Sequence, residues 1–186
     1  MNLKEMKLKA LRLIEEVSPD NPNLTEDPDL AAKHNDVINQ VMYELARIKK
    51  IFKYVEMEVS EGDIVDIADI AKECGYEVFQ VILFGGVNNT PKAGGTVFKV
   101  LESGTAEIDV AVYPERITAS TKDSYEFEVS EDVLEIMPYG IAADLLKSDV
   151  STEYGSIYAT RYESMKQMLD PRNHMTSIYF DGGVNI

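Results

Sequence analysis

Two amphipathic segments near the C-terminus constrain the fold more than any other part of the sequence. In the first, apolar residues recur three and four positions apart at Met137, Ile141, Ala142, Leu145 and Leu146. In the second, the same spacing relates Tyr154, Ile157, Tyr158, Tyr162, Met165, Met168 and Leu169. Residues spaced in this way share one face of an α-helix. The polar stretch 147–152 separates the segments, and Ser151 or Thr152 can cap the second helix. The sequence therefore predicts an αα-hairpin whose apolar faces need a partner.

The N-terminal part of the sequence predicts two further helices that can supply this partner. Residues 3–17 carry an apolar face and end at Ser18-Pro19, because the residue before a proline avoids helical backbone angles. Asp27 suits the N-cap of a second helix, since Pro28 then takes the first helical position, where its missing N–H is not needed. The apolar face of this helix, which we extend to residue 50, is formed by Leu30, Val37, Val41, Leu45 and Ile48.

Between residues 51 and 130 the hydrophobic period changes from helical to strand-like. Alternating and β-branched runs predict strands at 51–59, 76–84, 96–101, 107–113 and 125–129. Residues 64–72 fit a short helix by spacing, although their β-branched content argues against it. The turn-forming residues 85–95 predict a long flexible connection. Ser103-Gly104 predicts a tight hairpin turn between two of the strands.

This order of elements predicts an α+β fold with a four-helix bundle-like core. The core is built from N- and C-terminal helix pairs and carries an inserted small antiparallel β domain. We divide the chain into an N-terminal helix pair (1–50), a β insertion (51–130), a C-terminal helical hairpin that closes the bundle (131–170) and an extended tail (171–186). In this arrangement Val41 and Leu145 lie in one shared core.

The residue types that most often carry chemistry form no catalytic constellation in this sequence. His34 lies in a polar helix face and His174 in the tail, and we interpret both as ordinary surface residues. Asp63, Asp66 and Asp69 lack the glycine and the closing glutamate of a calcium loop, so we interpret them as solvated charges. We therefore predict no enzymatic activity, no cofactor and no metal site.

Charge and cysteine content narrow the classes of partner. The formal net charge is −15 in 186 residues, and such a charge repels the phosphate backbone of nucleic acids. The sequence has no run of about 18 apolar residues, which excludes a membrane-spanning helix. Cys74 is the single cysteine, so it has no intramolecular disulfide partner, and we interpret it as a small buried hydrophobe. This cysteine usage is typical of a protein made in a reducing cytoplasm.

The C-terminal half of the sequence resembles a known family. It contains the run Leu145-Leu-Lys-Ser-Asp-Val-Ser-Thr-Glu-Tyr154, followed by Tyr158, Arg161-Tyr162, Met165 and Leu169. These residues are similar to the C-terminal hairpin of tailed-bacteriophage head–tail connector (adaptor) proteins. The resemblance extends upstream to Tyr113-Pro-Glu-Arg-Ile-Thr118, Tyr125-Glu-Phe-Glu128 and Met137-Pro-Tyr139. In this layout the chain is similar to the tail-tubular or gatekeeper-type adaptors, most closely from residue 113 onward.

The resemblance implies a structural phage or prophage protein with no enzymatic activity. Such an adaptor is an acidic protein made in the bacterial host cytoplasm, and in virion assembly it takes its place at the head–tail junction. Its subunits form an oligomeric ring, either by themselves or only on the portal, so the implied partners are further copies of the chain, the portal and tail proteins. DNA passes through the ring without specific binding. The resemblance implies no cofactor.

Two groups of apolar residues are candidate subunit contacts. Tyr154, Tyr158 and Tyr162 form an i, i+4, i+8 stripe on the last helix, which is more typical of a core or a subunit contact than of a ligand cage. In the tail, Ile178 and Phe180 lie on one side of any strand and Tyr179 lies on the other. A segment of this pattern can add to the sheet edge of a neighbouring molecule.

Two other functions remain open from the residues alone. One is a non-catalytic ligand- or carbohydrate-binding module, in which stacking surfaces are provided by Tyr54, Tyr76, Tyr113 and Tyr125. The other is an enzyme that uses dispersed carboxylates. An adaptor must assemble with itself or with a portal, whereas neither alternative requires assembly.

Overall fold

The computed structural model describes residues 1–146 and 153–169, apart from the side chains of residues 153 and 154. The elements follow one another as α1 (Leu3–Leu13), α2 (Pro28–Ile48), β1 (Ile51–Val59), β2 (Ile64–Asp66), α3 (Ile67–Cys74), β3 (Val78–Gly85), β4 (Asn89–Lys92), a 3₁₀ turn (Ala93–Gly95), β5 (Val97–Val100), β6 (Gly104–Val112), α4 (Glu131–Leu145) and α5 (Glu153–Leu169). Within these described ranges, no helix has the length and apolar character needed to cross a lipid bilayer.

The predicted architecture, a four-helix bundle-like core with one small β domain inserted, is wrong. The described chain has five helices and two three-stranded antiparallel sheets, and the helices are spread through the sequence, with α3 between two strands. Among the helices, α1 and α2 each contact α4, and α4 also contacts α5, so the prediction that the N-terminal helices cover the C-terminal hairpin is confirmed. The architecture was wrong because the sequence did not predict the division of the strands into two sheets with α3 between them, which depends on contacts between residues distant in sequence.

Four helices, α1, α2, α4 and α5, share one hydrophobic core that is centred on α4. Its buried residues are Leu3, Met6 and Ala10 on α1; Ile38, Val41, Met42 and Leu45 on α2; Val133, Ile136, Met137, Ile141 and Leu145 on α4; Tyr162 and Leu169 on α5; and Ile117 and Phe127 outside the helices. The prediction that Val41 and Leu145 lie in one core is confirmed.

Two helix starts follow from their cap residues: Asn2 and Glu5 form a capping box at α1, and the Asp27 carboxylate accepts from the backbone N–H groups at the start of α2.

The strands form two sheets around a second hydrophobic core. The first sheet has the order β1-β6-β3 and the second has the order β2-β5-β4. Stacked rings of Phe84 and Phe98, with centroids 4.4 Å apart, join the two sheets, and Ile70 of α3 is buried in the same core. The predicted hairpin at Ser103-Gly104 is wrong, since β5 and β6 belong to different sheets.

Of the other strand predictions, one agrees with the structure in its limits and several differ from it. β1 has the predicted limits, whereas the predicted flexible connection 85–95 contains β4, and residues 64–72 divide into β2 and the start of α3. The predicted strand 125–129 is not formed, and Glu126 makes only an isolated bridge with Asn2 of the chain start. Short segments of this kind depend on pairing partners that are distant in sequence, which local periodicity does not reveal.

The segment 113–130, which connects β6 to α4, fastens the β region to the helices. The Tyr113 ring stacks on the Tyr43 ring of α2, with centroids 4.5 Å apart. Further along, the buried Asn39 side chain donates to the Ile117 carbonyl at 2.7 Å and accepts from the Ile117 N–H at 2.8 Å. Both bonds are shielded from water, so they hold the segment to α2 at a fixed position.

Replacing Asn39 with alanine tests the importance of this pair of hydrogen bonds. Asn39→Ala leaves the N–H and the carbonyl of Ile117 unpaired in a buried site, so we expect the free energy of unfolding to fall by about 2–4 kcal/mol. The matched control is Asn35→Ala, which removes one hydrogen bond to the Thr118 carbonyl at the exposed side of the same segment and should cost less than about 1 kcal/mol. Urea denaturation measures both values, and equal losses would contradict the assignment.

A second test concerns the close approach of α4 to its neighbours at Gly140. A Cβ atom built on Gly140 would lie 2.8 Å from Tyr162 Cε2 and 2.9 Å from Val41 Cγ1. We therefore expect Gly140→Ala to destabilise the protein by roughly 1–3 kcal/mol through overpacking. At Gly155 the same substitution meets its nearest atom, Leu146 Cβ, at 3.5 Å, and the higher helix propensity of alanine should make Gly155→Ala neutral or slightly stabilising. Thermal denaturation of both variants measures the change in melting temperature. A fall for Gly140→Ala without a fall for Gly155→Ala shows that packing at Gly140, and not helix propensity, determines the effect.

Candidate interaction surfaces and the junction cavity

Two of the predicted contact tyrosines are engaged within the subunit. The Tyr158 hydroxyl donates to the Leu13 carbonyl at the end of α1. The Tyr162 ring is buried, and its hydroxyl donates to Glu44 Oε2 at 2.8 Å. Burial and this hydrogen bond to a carboxylate raise the pKa of Tyr162. These contacts anchor α5 to α1 and α2.

The other predicted contact residues lie beyond what the structure describes. The side chain of Tyr154 and the whole of Ile178, Tyr179 and Phe180 are outside the described residues. The use of these four residues, and of Tyr158 and Tyr162, in contacts between subunits stays a prediction.

The outer side of α5 carries an apolar groove. The groove has a volume of about 660 Å³ and is lined by Ser156, Ile157, Thr160, Arg161, Ser164 and Met165; we call it the α5 groove. Ile157 is 55% exposed, and Met168 near its end is 67% exposed. The sequence placed both residues on the buried face of the helix, and this was wrong because α5 buries only a narrow stripe around Tyr162 and Leu169. The Arg161 guanidinium lies over the Tyr139 ring at 4.5 Å, which fixes a positive charge beside the groove.

The solvent side of the first sheet is a second exposed apolar surface. Phe52, at 62% exposure, and Tyr54 project from β1, and Leu83 projects from β3. Tyr54 and Leu83 are both register partners of Asp109 on β6, so the three residues lie in one row. We call this surface the outer sheet face, and its members are Phe52, Tyr54, Glu56, Leu83, Glu107 and Asp109. Partial desolvation and the hydrogen bond to Glu56 raise the pKa of Tyr54, and the negative charges of Glu107 and Asp109 act in the same direction.

A cavity of about 570 Å³ lies where the helical core meets the sheets, and we call it the junction cavity. It is lined in part by Tyr43 of α2, Cys74 and Tyr76 at the end of α3, and Tyr113 and Arg116 of the connecting segment. Three carboxylates, those of Glu77, Glu115 and Glu128, complete its charged lining. Two of the four tyrosines proposed as stacking surfaces, Tyr76 and Tyr113, therefore meet here, whereas Tyr54 lies on the outer sheet face.

Hydrogen bonds and charges hold the tyrosines of the junction cavity in place. The Tyr76 hydroxyl accepts from Lys53 Nζ at 3.2 Å and donates to Glu128 Oε1 at 3.3 Å. Desolvation and the nearby charge of Glu77 raise the pKa of Tyr43. Beside the cavity, burial raises the pKa of Tyr125 to about 12, and Glu115 and Glu128 contribute to the shift. The buried Tyr125 hydroxyl has no hydrogen-bond partner among the described residues.

The three aspartates that resemble part of a calcium loop have local structural roles. The Asp63 carboxylate accepts from the Ser60 N–H at 2.8 Å, and Asp66 and Asp69 form the capping box of α3. Asp63 and Asp69 also border a cavity of about 700 Å³ between β1 and α3, which we call the acidic trough because Glu56, Glu58 and Glu73 line it as well. Over the described ranges, no three His, Cys, Asp or Glu side chains are grouped to hold a metal ion.

His34 is not the surface residue that the sequence predicted. Its side chain is 2% exposed, and its Nε2 atom has no hydrogen-bond partner in the part of the chain that the structure describes. Desolvation, with a smaller effect of the Lys7 charge, lowers the pKa of His34 to about 4. The polar residues around His34 in sequence suggested exposure, but the imidazole is buried, and Lys7 of α1 is near enough for its charge to act on it. His174 lies outside the described residues.

Comparison with known proteins gives no family assignment. No protein-family model matches the chain, and no curated protein matches it significantly in sequence.

The buried His34 makes stability depend on pH. Because its pKa is about 4 in the folded protein and about 6.5 in an unfolded chain, the unfolded state binds the proton first as the pH falls. The free energy of unfolding should therefore decrease between pH 6.5 and pH 4, by about 2 kcal/mol at pH 5.

The variant His34→Gln removes the titrating group while keeping a polar side chain. Urea denaturation at pH 7 and pH 5 should show a smaller pH-dependent loss for this variant than for the wild-type protein. If both proteins lose the same stability, His34 does not titrate as a buried group.

Proposed function

We propose that the protein is a structural subunit of a phage or prophage virion, namely a head–tail connector (adaptor) that assembles as a ring on the portal. The observation that carries this proposal is the presence of two separate exposed apolar surfaces on one chain, the α5 groove and the outer sheet face. Its localisation in this proposal is the head–tail junction of the virion, and its partners are further copies of itself, the portal and tail proteins.

A closed ring of more than two subunits needs two different surfaces on each subunit. The contact in such a ring is head-to-tail, so one patch of each molecule meets another patch of the next. The α5 groove and the outer sheet face have no residue in common, and they lie on elements that pack into different hydrophobic cores. One chain can therefore use both surfaces at the same time.

The charges of the two surfaces complement each other. Arg161 is the charged residue that lines the α5 groove, whereas the outer sheet face carries the carboxylates of Glu56, Glu107 and Asp109. In a head-to-tail contact, Arg161 can meet Asp109 while Ile157 packs against Phe52 or Tyr54. Complementary charges of this kind fix the register of an interface, and burial of the apolar side chains supplies the free energy.

The net charge suits a ring that conducts DNA. At −15 per subunit, the ring would repel the phosphate backbone and form few lasting contacts with it, so DNA can pass through without specific binding.

Complementary defects in the two surfaces test the head-to-tail contact. One variant, Ile157→Ser with Arg161→Asp, impairs the α5 groove, and a second variant, Phe52→Ser with Asp109→Arg, impairs the outer sheet face. All four positions are solvent-accessible to some degree, so the variants should stay folded. In sedimentation velocity over a concentration series, the wild-type protein should form oligomers, while each variant alone should remain monomeric.

The mixture of the two variants is the decisive sample. Each variant retains the surface that the other lacks, so the mixture should form a one-to-one dimer and no larger species. A wild-type protein that stays monomeric at every concentration would contradict self-assembly in the absence of the portal, and a mixture that contains only monomers would contradict the head-to-tail contact. Mass spectrometry of purified virions from the phage or prophage that encodes the chain tests the location.

A further inference from the structure

The junction cavity combines aromatic walls with negative charge. The rings of Tyr43 and Tyr113, stacked with an angle of 16° between their planes, line the cavity together with Tyr76. Phe79 packs against Tyr113 with its centroid 4.7 Å away and supports this ring. Aromatic faces attract cations through their quadrupole, and the attraction increases where water is partly excluded.

Among the residues that line the cavity, carboxylates outnumber cations. Glu77, Glu115 and Glu128 line it together with one cation, Arg116. The Arg116 guanidinium lies 4.0 Å from the Asp36 carboxylate of α2, so part of its charge is compensated outside the cavity. The lining therefore favours a positively charged occupant over a neutral or negative one.

The protein itself places cations against the tyrosines of this junction. Lys53 Nζ lies 4.3 Å from the centroid of the Tyr76 ring. The Arg47 guanidinium lies 5.5 Å from the Tyr113 ring, and its Nε donates to the Tyr113 hydroxyl at 2.5 Å. Neither Lys53 nor Arg47 belongs to the cavity lining, so both approach the rings from elsewhere and leave the cavity itself unfilled.

We propose that the junction cavity binds an arginine side chain presented on an extended segment of a partner protein. A planar guanidinium can stack on a tyrosine ring and donate in parallel to one carboxylate, which an ammonium group does not do. The volume of about 570 Å³ is within the usual range of ligand sites and accommodates a side chain with part of its flanking backbone. This binding site is independent of the head-to-tail contact, since the cavity shares no residue with the α5 groove or the outer sheet face.

Binding of N-acetyl-L-arginine amide, followed by two-dimensional NMR, tests the proposal. We expect saturable shifts in the ring resonances of Tyr43, Tyr76 and Tyr113. The control compound is N-acetyl-L-citrulline amide, which has nearly the same shape but no charge, and it should bind at least fivefold more weakly. Absence of saturable shifts, or equal binding of the citrulline compound, would overturn the proposal.

Two double variants separate the cavity from the general negative field of the protein. Glu115→Gln with Glu128→Gln removes two carboxylates of the cavity, and Glu58→Gln with Glu73→Gln removes two carboxylates of the acidic trough. All four side chains are exposed, and both variants have the same net charge. The first variant should weaken binding of the arginine compound at least fivefold, and the second should leave it unchanged. An equal loss in both would show that the arginine compound responds only to overall charge.

Discussion

The relation between the two hydrophobic cores depends on the side-chain amide of Asn39. This group satisfies both polar backbone atoms of Ile117 from the middle of a helix that otherwise contributes apolar residues to the core. A buried amide tolerates little displacement, because a shift leaves one donor or one acceptor without a partner. The connecting segment is therefore held along α2, and the rings of Tyr113 and Tyr43 meet as a consequence. The direct link between α2 and β1 is short and holds the β region at only one of its ends.

Local sequence signals predicted where helices and strands begin and end better than they predicted which strands pair with each other. Asp27 and Pro28 marked the start of α2, and alternation marked both ends of β1, since caps and period are properties of neighbouring residues. The division of the strands into two sheets was not predictable in this way, because it depends on which of several similar apolar strands meet. The exposure of Ile157 has the same origin: its position on the helix was clear, but the extent of the surface that covers the helix was not.

The sequence predicted the candidate sites less well than it predicted the fold. The lining of the junction cavity comes from four separate segments, around residues 43, 75, 114 and 128, so no spacing along the chain indicates it. His34 is buried although the residues next to it in sequence are polar, so its local sequence did not indicate its burial. By contrast, Phe52 and Tyr54 are two positions apart in the predicted strand 51–59, so the sequence placed both on the same face of β1. Only the tertiary structure shows that nothing in the described chain covers them.

The close packing of the Tyr162 ring against Gly140 also fixes the orientation of α5 on α4. The ring fills the space that a side chain at position 140 would occupy, and the Glu44 carboxylate holds the hydroxyl, so α5 cannot slide or roll on α4 without losing both contacts. The absence of a side chain at Gly140 therefore fixes the orientation of α5, including the direction in which its exposed side faces. In a closed circle, an angular error at one joint is repeated at every joint and prevents the last subunit from meeting the first. In the proposed ring, a glycine buried in the core would therefore govern the angle between neighbouring subunits.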